Sequence, residues 1–307
     1  MQKKRVIAIV GPTAVGKTAL SIAVAKRLGG EIINGDSMQV YRKLNIGTAK
    51  ISNNEMDGVP HHLFDMKDPD ESFSVAEFQQ LVREKIEEIT LRGHLPILVG
   101  GTGLYVQSVL FDYQFSSEGK DEKVRKELEE TAASGGIMPL YERLMRIDGK
   151  AAKAIHPNNE RRVIRALEVY ITTGKTLTEW QQAQIREPLF NHQIIGLTME
   201  RDLLYERINL RVDLMMEQGL LDEVRGLHSS GLRDVQSIQA IGYKELYDYL
   251  DGLVTLEQAV EQIKQNSRRY AKRQITWFRN KMDMKWFDLS HDRIEVNEKI
   301  LTFLAGN

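Results

Sequence analysis

Apolar positions along the chain change period in step with its glycines. Residues 5–10 (RVIAIV) form an unbroken β-branched run, the mark of a strand buried on both faces. Residues 19–28 (ALSIAVAKRL) then place apolar side chains three and four apart, which predicts a helix. The alternation repeats. Residues 31–34 (EIIN) read as a second strand, 40–60 as a polar irregular excursion containing Gly47-Thr48-Ala49-Lys50, and 61–65 (HHLFD) as a short strand. Ser74 and Glu77 have capping-box spacing ahead of an amphipathic helix over 75–92, which Gly93 stops. Residues 95–99 (LPILV) predict another fully buried strand, followed by a helix over 104–110. Strands alternating with helices predict an α/β parallel sheet flanked by helices.

Between Phe111 and Pro188 the pattern changes, with no strand-type run. Helical spacing covers 121–132, 139–146, 151–155, 159–173 and 177–183, punctuated by Gly135-Gly136, Gly149, His156-Pro157 and Gly174. Residues 193–197 (QIIGL) return to strand, 201–218 form a long amphipathic helix, and 219–250 read as helical with breaks at Gly226, Gly231 and Gly242. One long helix spans 255–280 and a last strand spans 284–289. This predicts a core of residues 1–112 and 189–307 interrupted by an all-helical insertion domain over 113–188.

Composition narrows the function classes. The chain has 307 residues, 42% apolar and 28% charged, with a net charge of −1. Any nucleic-acid surface must therefore be a local patch. The absence of cysteine excludes disulfides, thiolate metal sites and a cysteine nucleophile. The N-terminal apolar run is too short for a signal peptide, and no run approaches membrane-spanning length. A cytoplasmic monomer is the expectation. The His61-His62 pair does not suit a metal, because adjacent strand residues point to opposite faces.

The candidate chemistry gathers at predicted strand ends. After the first strand, Gly11, Pro12, Thr13, Ala14, Val15, Gly16, Lys17 and Thr18 fit the phosphate-loop pattern at every fixed position. In such a loop backbone N–H groups and a helix N-terminus wrap an anion, Lys17 reaches a terminal phosphate, and the Thr18 hydroxyl helps hold Mg²⁺. The second strand delivers Asp36 to the same rim, where it is either a reactive carboxylate or a turn former. The next strand ends in Gly100-Gly101-Thr102, where a phosphate-loop ATPase usually carries an Asp. On the helix over 201–218, Arg207 and Arg211 share one face and either serve the phosphate site or are solvated. Arg161, Arg162 and Arg165 cluster beside Glu160 and Glu168, the usual pattern of a solvated face. Late in the long helix, Arg268, Arg269, Lys272, Arg273, Arg279 and Lys281 run without an acidic residue, interleaved with Tyr270, Trp277 and Phe278. That composition suits phosphate contacts with base stacking.

Together these stretches resemble one family, the tRNA dimethylallyltransferases, also called tRNA isopentenyltransferases. The matching segments are GPTAVGKT, NGDSMQVYRKLNIGTAK, LVGGTGLY, HPNNERRVIRALEVY, GKTLTEWQ, IQAIGYKEL and AKRQITWFRN, in the family's order and across nearly the whole chain. The resemblance implies a P-loop-type sheet that moves a dimethylallyl group from dimethylallyl diphosphate to N6 of an adenosine beside the anticodon. It implies Mg²⁺ on Thr18, with Asp36, Thr102 and Lys17 in catalysis, and loop residues with Arg207 and Arg211 around the diphosphate. It implies contacts to the tRNA anticodon stem-loop from Asp36, Ser37, Met38, Gln39 and Thr102, and from Arg125, Arg161, Arg162 and Arg165 in the insertion. Further contacts are implied at Gln239, Gly242, Tyr243 and Lys244, and at Lys272, Arg273, Gln274, Trp277 and Arg279. A small-molecule kinase and an RNA-binding NTPase are the competing readings. The first has no use for the basic helix, and the second lacks the strand-end Asp.

Overall fold

The computed structural model describes residues 3–113, 121–183 and 187–306. It divides into two compact units, one of Met1–Phe111 with Pro188–Asn307 and one of Asp112–Glu187. The strand-free reading of 114–120 and 184–186 lies outside the described residues.

The larger unit begins with β1 (Arg5–Val10), α1 (Lys17–Leu28), β2 (Gly30–Asn34), β3 (His61–His62), α2 (Val75–Leu91), β4 (Leu95–Gly100) and α3 (Gly103–Leu110). The smaller unit is α4 (Glu122–Gly135), α5 (Met138–Ile147), α6 (Gly149–Ala154), α7 (Glu160–Thr173) and α8 (Leu177–Gln182). The larger unit resumes with β5 (Asn191–Thr198), α9 (Arg201–Glu217), α10 (Leu220–Ser229), α11 (Tyr243–Leu250), α12 (Leu256–Lys281), β6 (Lys285–Asp288) and α13 (Arg293–Ala305).

The strands form one sheet in the order β3-β2-β4-β1-β5-β6, and every pairing is parallel. Its centre explains the unbroken apolar runs. Val6, Ala8 and Val10 of β1 enter one hydrophobic cluster, while Ile7 and Ile9 enter another on the opposite face. Because all strands run the same way, β1, β2 and β4 deliver their following loops to a single rim. The smaller unit has its own core, built on Leu128, Leu140, Leu144, Val163 and Leu167.

Two expectations change, and one segment left unread gains a structure. The strand expected over 61–65 stops at His62, because Leu63 and Asp65 take left-handed backbone angles of 66° and 52° that a strand cannot continue. Gly226 does not break its helix but lies inside α10, facing open space. The chain after β6 folds as α13, capped by the Asp292 side chain. None of the described helices is long and apolar enough to cross a membrane.

Candidate active site

The rim holds two adjoining cavities, of about 540 and 380 Å³, both walled by the larger unit. The first is built on the phosphate loop. Ala14 takes a φ of 63° and Gly16 a φ of 114°, which turns the loop tightly before α1. Gly11, at φ 155°, sits so close to β5 that a Cβ would lie 2.7 Å from the Leu197 carbonyl. Lys17 Nζ donates to the carbonyls of Gly11 (3.0 Å) and Pro12 (2.7 Å) rather than to a carboxylate. Burial and the Arg211 guanidinium push its pKa down to about 8, against a weaker upward pull from Asp36. Arg207 Nε donates to the Ala14 carbonyl at 3.0 Å, so it braces the loop from α9 while lining the first cavity. Arg211 lines both cavities, and burial lowers its pKa despite the Asp36 and Glu55 carboxylates. Neither Lys17 nor Arg211 forms a salt bridge among the described residues. Thr18 is exposed at the mouth of the first cavity.

Asp36 faces both cavities. Its own N–H donates to Asn34 Oδ1 at 2.9 Å, and its Oδ1 accepts from Met38 N–H at 2.8 Å. It is therefore a turn former and a site carboxylate together. Asn34, which the sequence reading passes over as a strand end, holds this turn and also donates to the Leu63 carbonyl at 3.1 Å. Thr102 Oγ1 is buried with no hydrogen-bond partner among the described residues. The Tyr270 phenol points toward it and toward Gln274 without satisfying it, and burial raises that phenol to about 12. Sequence composition places Tyr270 in an outward basic and aromatic face; the structure turns it inward to line both cavities.

The remaining sequence-predicted residues separate by surroundings. Ser37 and Met38 line the second cavity and Gln39 the first. Gln239 is exposed on the second cavity's edge, and Lys244 is exposed at the start of α11. On α12, Lys272, Arg273 and Arg279 are exposed. Arg273 lies 5.6 Å over the Tyr270 ring and Arg279 lies 5.7 Å over Trp286. In the helical unit, Arg161 and Arg162 are exposed at the start of α7.

Other residues expected at the RNA are held by contacts within the protein. Gln274 is buried; its Oε1 accepts from Thr13 N–H at 2.9 Å and its Nε2 donates to the Gly101 carbonyl at 3.0 Å, so it ties the phosphate loop to the strand end. Tyr243 is fully buried with its hydroxyl on Glu223, and Gly242 beside it is buried too. Trp277 lays its ring on Gly103 and so packs into the interior. Arg125 and Arg165 each donate to Glu168 Oε2 at 2.8 Å, and that carboxylate is only 1% exposed. Arg268, in the run without an acidic residue, reaches Glu261 at 3.2 Å, about two turns earlier.

The family model described as IPP transferase matches residues 39–281. The chain is 58% identical to a tRNA dimethylallyltransferase of Bacillus mycoides, covering 100% of this chain and 96% of that protein. It is 60% identical to one from Anoxybacillus flavithermus, covering 99% and 97% respectively. Among solved structures, the full-length tRNA isopentenylpyrophosphate transferase of Bacillus halodurans matches with 57% identity and a TM-score of 0.76, covering 99% of this chain and 96% of that one. A eukaryotic dimethylallyltransferase captured acting on tRNA matches with 32% identity and a TM-score of 0.85, covering 99% and 80%.

Proposed function

The chain belongs to the IPP transferase family, and we propose that it moves a dimethylallyl group from dimethylallyl diphosphate to N6 of the adenosine adjacent to the anticodon of its tRNA substrates, releasing diphosphate. The observation that carries this reading is the pairing of charges at one rim. Lys17 and Arg211, cations without salt-bridge partners, line the same cavity as Asp36, and the unsatisfied Thr102 hydroxyl is buried one residue past Gly101 in its wall.

The chemistry follows from those groups. As the bond between the allylic carbon and the diphosphate oxygen breaks, negative charge grows on the departing group. Lys17, Arg211 and the loop N–H groups lie where that charge accumulates. The allylic carbon, gaining cationic character, takes the electron pair of N6. The exocyclic amine is a poor nucleophile and must lose a proton, which Asp36 accepts through the carboxylate oxygen not held by Met38. Thr102, buried and unsatisfied, is suited to a hydrogen bond with the adenine edge. The target base leaves its stack to reach the rim, as base-modifying enzymes require.

Mg²⁺ fits the donor set. No cluster of three or more carboxylate or imidazole ligands exists among the described residues, and Thr18 offers one hydroxyl at the cleft mouth. Mg²⁺ commonly completes its shell with phosphate oxygens and water, so Thr18 would hold it, and when bound it would neutralise diphosphate charge. Lys272, Arg273 and Arg279, with Lys244, Gln239, Arg161 and Arg162, are the cations and polar groups left for the anticodon stem-loop. Ser37, Met38 and Gln39 shape the pocket that receives the base. An enzyme with these substrates works in the cytoplasm, and as a monomer, since one chain assembles the whole cleft.

The test is nucleoside analysis of unmodified tRNA after incubation with the protein, Mg²⁺ and dimethylallyl diphosphate. The reading requires N6-prenylated adenosine; unmodified adenosine throughout would overturn it.

A further inference from the structure

The cleft has a wall that comes from no strand end. Thr48 and Ala49 line both cavities, and Gly47 lines the second. They belong to the loop over residues 45–50, inside the polar excursion between β2 and β3. Nothing in that stretch folds on itself as a helix or strand. It closes as a turn, with Ala49 N–H on the Ile46 carbonyl and Lys50 N–H on the Asn45 carbonyl, both at 2.9 Å, and it is anchored from α10.

Glu223, in the first turn of α10, is the device. Its Oε2 accepts from the N–H groups of Asn45 and Ile46, both at 2.9 Å. Its Oε1 accepts from Gly47 N–H at 3.1 Å and from the Tyr243 hydroxyl at 2.6 Å. Three successive amides converging on one anion form the kind of backbone concavity that elsewhere binds phosphate. Here the anion is the protein's own carboxylate. Glu223 also sits in the first turn of α10, at the positive end of the helix dipole. The fit leaves no slack, since a Cβ on Gly47 would lie 2.5 Å from the Tyr243 ring.

The constraint passes on to the Asp36 turn. Gln39 Nε2 donates to the Thr48 carbonyl at 3.0 Å, and Gln39 lies three residues after Asp36. Ala49 is held at a left-handed φ of 49°, a conformation that persists only when its surroundings dictate it.

We propose that Glu223 is a positioning residue of the transfer reaction, fixing the 45–50 loop so that Thr48, Ala49 and Gln39 close the cleft against Asp36. The proposal rests on the reading of this cleft as the transfer site. Glu223 itself lines neither cavity and bonds no phosphate-loop residue, so its removal affects the alignment of the reacting groups and spares the grip on diphosphate.

Two variants of the full chain test this. Glu223→Gln replaces an acceptor that satisfies three amides with a group that must present an N–H₂ to one of them. Tyr243→Phe removes one of the four hydrogen bonds and keeps the carboxylate. Glu223→Gln should lower kcat about 30-fold and Tyr243→Phe about 3-fold, with pyrophosphate affinity within about 2-fold of wild type in both. Amide hydrogen exchange at residues 45–47 should rise at least about 10-fold in Glu223→Gln while the amides of α1 stay protected. Wild-type kcat in Glu223→Gln, or unchanged exchange at 45–47, overturns the proposal. Should Glu223→Gln fail to fold, Tyr243→Phe decides alone: faster exchange at 45–47 with lowered kcat supports the latch, and no change refutes it. A wild-type enzyme that transfers nothing defeats the functional reading instead, and the exchange experiment still judges the latch.

Discussion

The two units of this molecule each bury a cluster of charge, and they resolve it in opposite ways. In the helical unit, the carboxylate of Glu168 is 1% exposed and receives guanidinium hydrogen bonds from Arg125 and Arg165, both at 2.8 Å, plus the Asp121 N–H at 3.2 Å. Those partners hold its pKa below the ordinary glutamate value against the opposing effect of burial. The cluster is complete. In the cleft of the larger unit, Lys17 and Arg211 lie half-buried near each other and neither forms an ion pair with a carboxylate. The Arg211 guanidinium makes Lys17 harder to charge. A buried carboxylate closed by two guanidinium groups is satisfied within the fold, whereas cations left without an ion pair are open to a ligand of the opposite sign.

The sharpest way to break this contrast is to remove the unpaired cation. Lys17→Met should lower transfer about 10⁴-fold and pyrophosphate affinity at least about 100-fold, while the unliganded protein melts no lower than wild type because a desolvated charge has gone. Loss of stability with retained pyrophosphate binding would make Lys17 structural. Asp36→Ala should lower the chemical step about 10³-fold and leave pyrophosphate binding in place, as isothermal titration would show. A normal single-turnover rate would remove Asp36 as the base.

The pH dependence sharpens the contrast further. Unliganded Lys17 loses its proton near pH 8, so pyrophosphate binding must take up a proton above that value. Affinity should fall toward about 10-fold per pH unit beyond pH 8, and Lys17→Arg should flatten that limb. The lowered lysine value also has a sign for folding. The unfolded chain binds the proton more tightly, so the unliganded fold gains stability as pH rises from about 8 toward the ordinary value of 10.5. Glu168 has the same sign in an acidic window, since its contribution is present above the ordinary 4.5 and fades as pH falls through its lowered value.

Smaller effects belong to the surface and to the closed network. Neutralising Lys272 and Arg273 together should weaken tRNA binding about 10-fold and reduce the slope of log affinity against log salt by about 1–2, with pyrophosphate binding unchanged. Glu168→Gln should cost the fold about 2 kcal/mol in denaturant unfolding and leave pyrophosphate affinity within error. An effect of Glu168→Gln on pyrophosphate binding would erase the distinction between the two clusters.

Much of the cleft was legible in the chain because its parts are consecutive with strands. The phosphate loop follows β1, Asp36 follows β2 and Thr102 follows β4, so short apolar strand runs locate all three on one rim. What was not legible depends on partners far away. Gln274 bonds Thr13 across 261 positions, and Arg125 meets Glu168 across 43. On composition alone Gln274 and Arg125 look as free to meet RNA as Lys272 does. The difference lies in what packs opposite, and no local pattern encodes it. Tyr270 makes the same point from the other side, an aromatic in a basic stretch whose phenol faces inward. The loop over 45–50 has no periodicity at all, and its anchor, Glu223, lies 176 to 178 positions away.

The central claim is that the phosphate loop and its unpaired cations hold a leaving diphosphate rather than a triphosphate for hydrolysis. Its most direct test is a single-turnover reaction of enzyme with Mg²⁺, labelled dimethylallyl diphosphate and unmodified tRNA, followed alongside an identical mixture containing ATP in place of the diphosphate. Diphosphate and prenylated adenosine should appear in equal amounts at equal rates, with no ATP turnover. ATP turnover without prenylated adenosine would contradict the account.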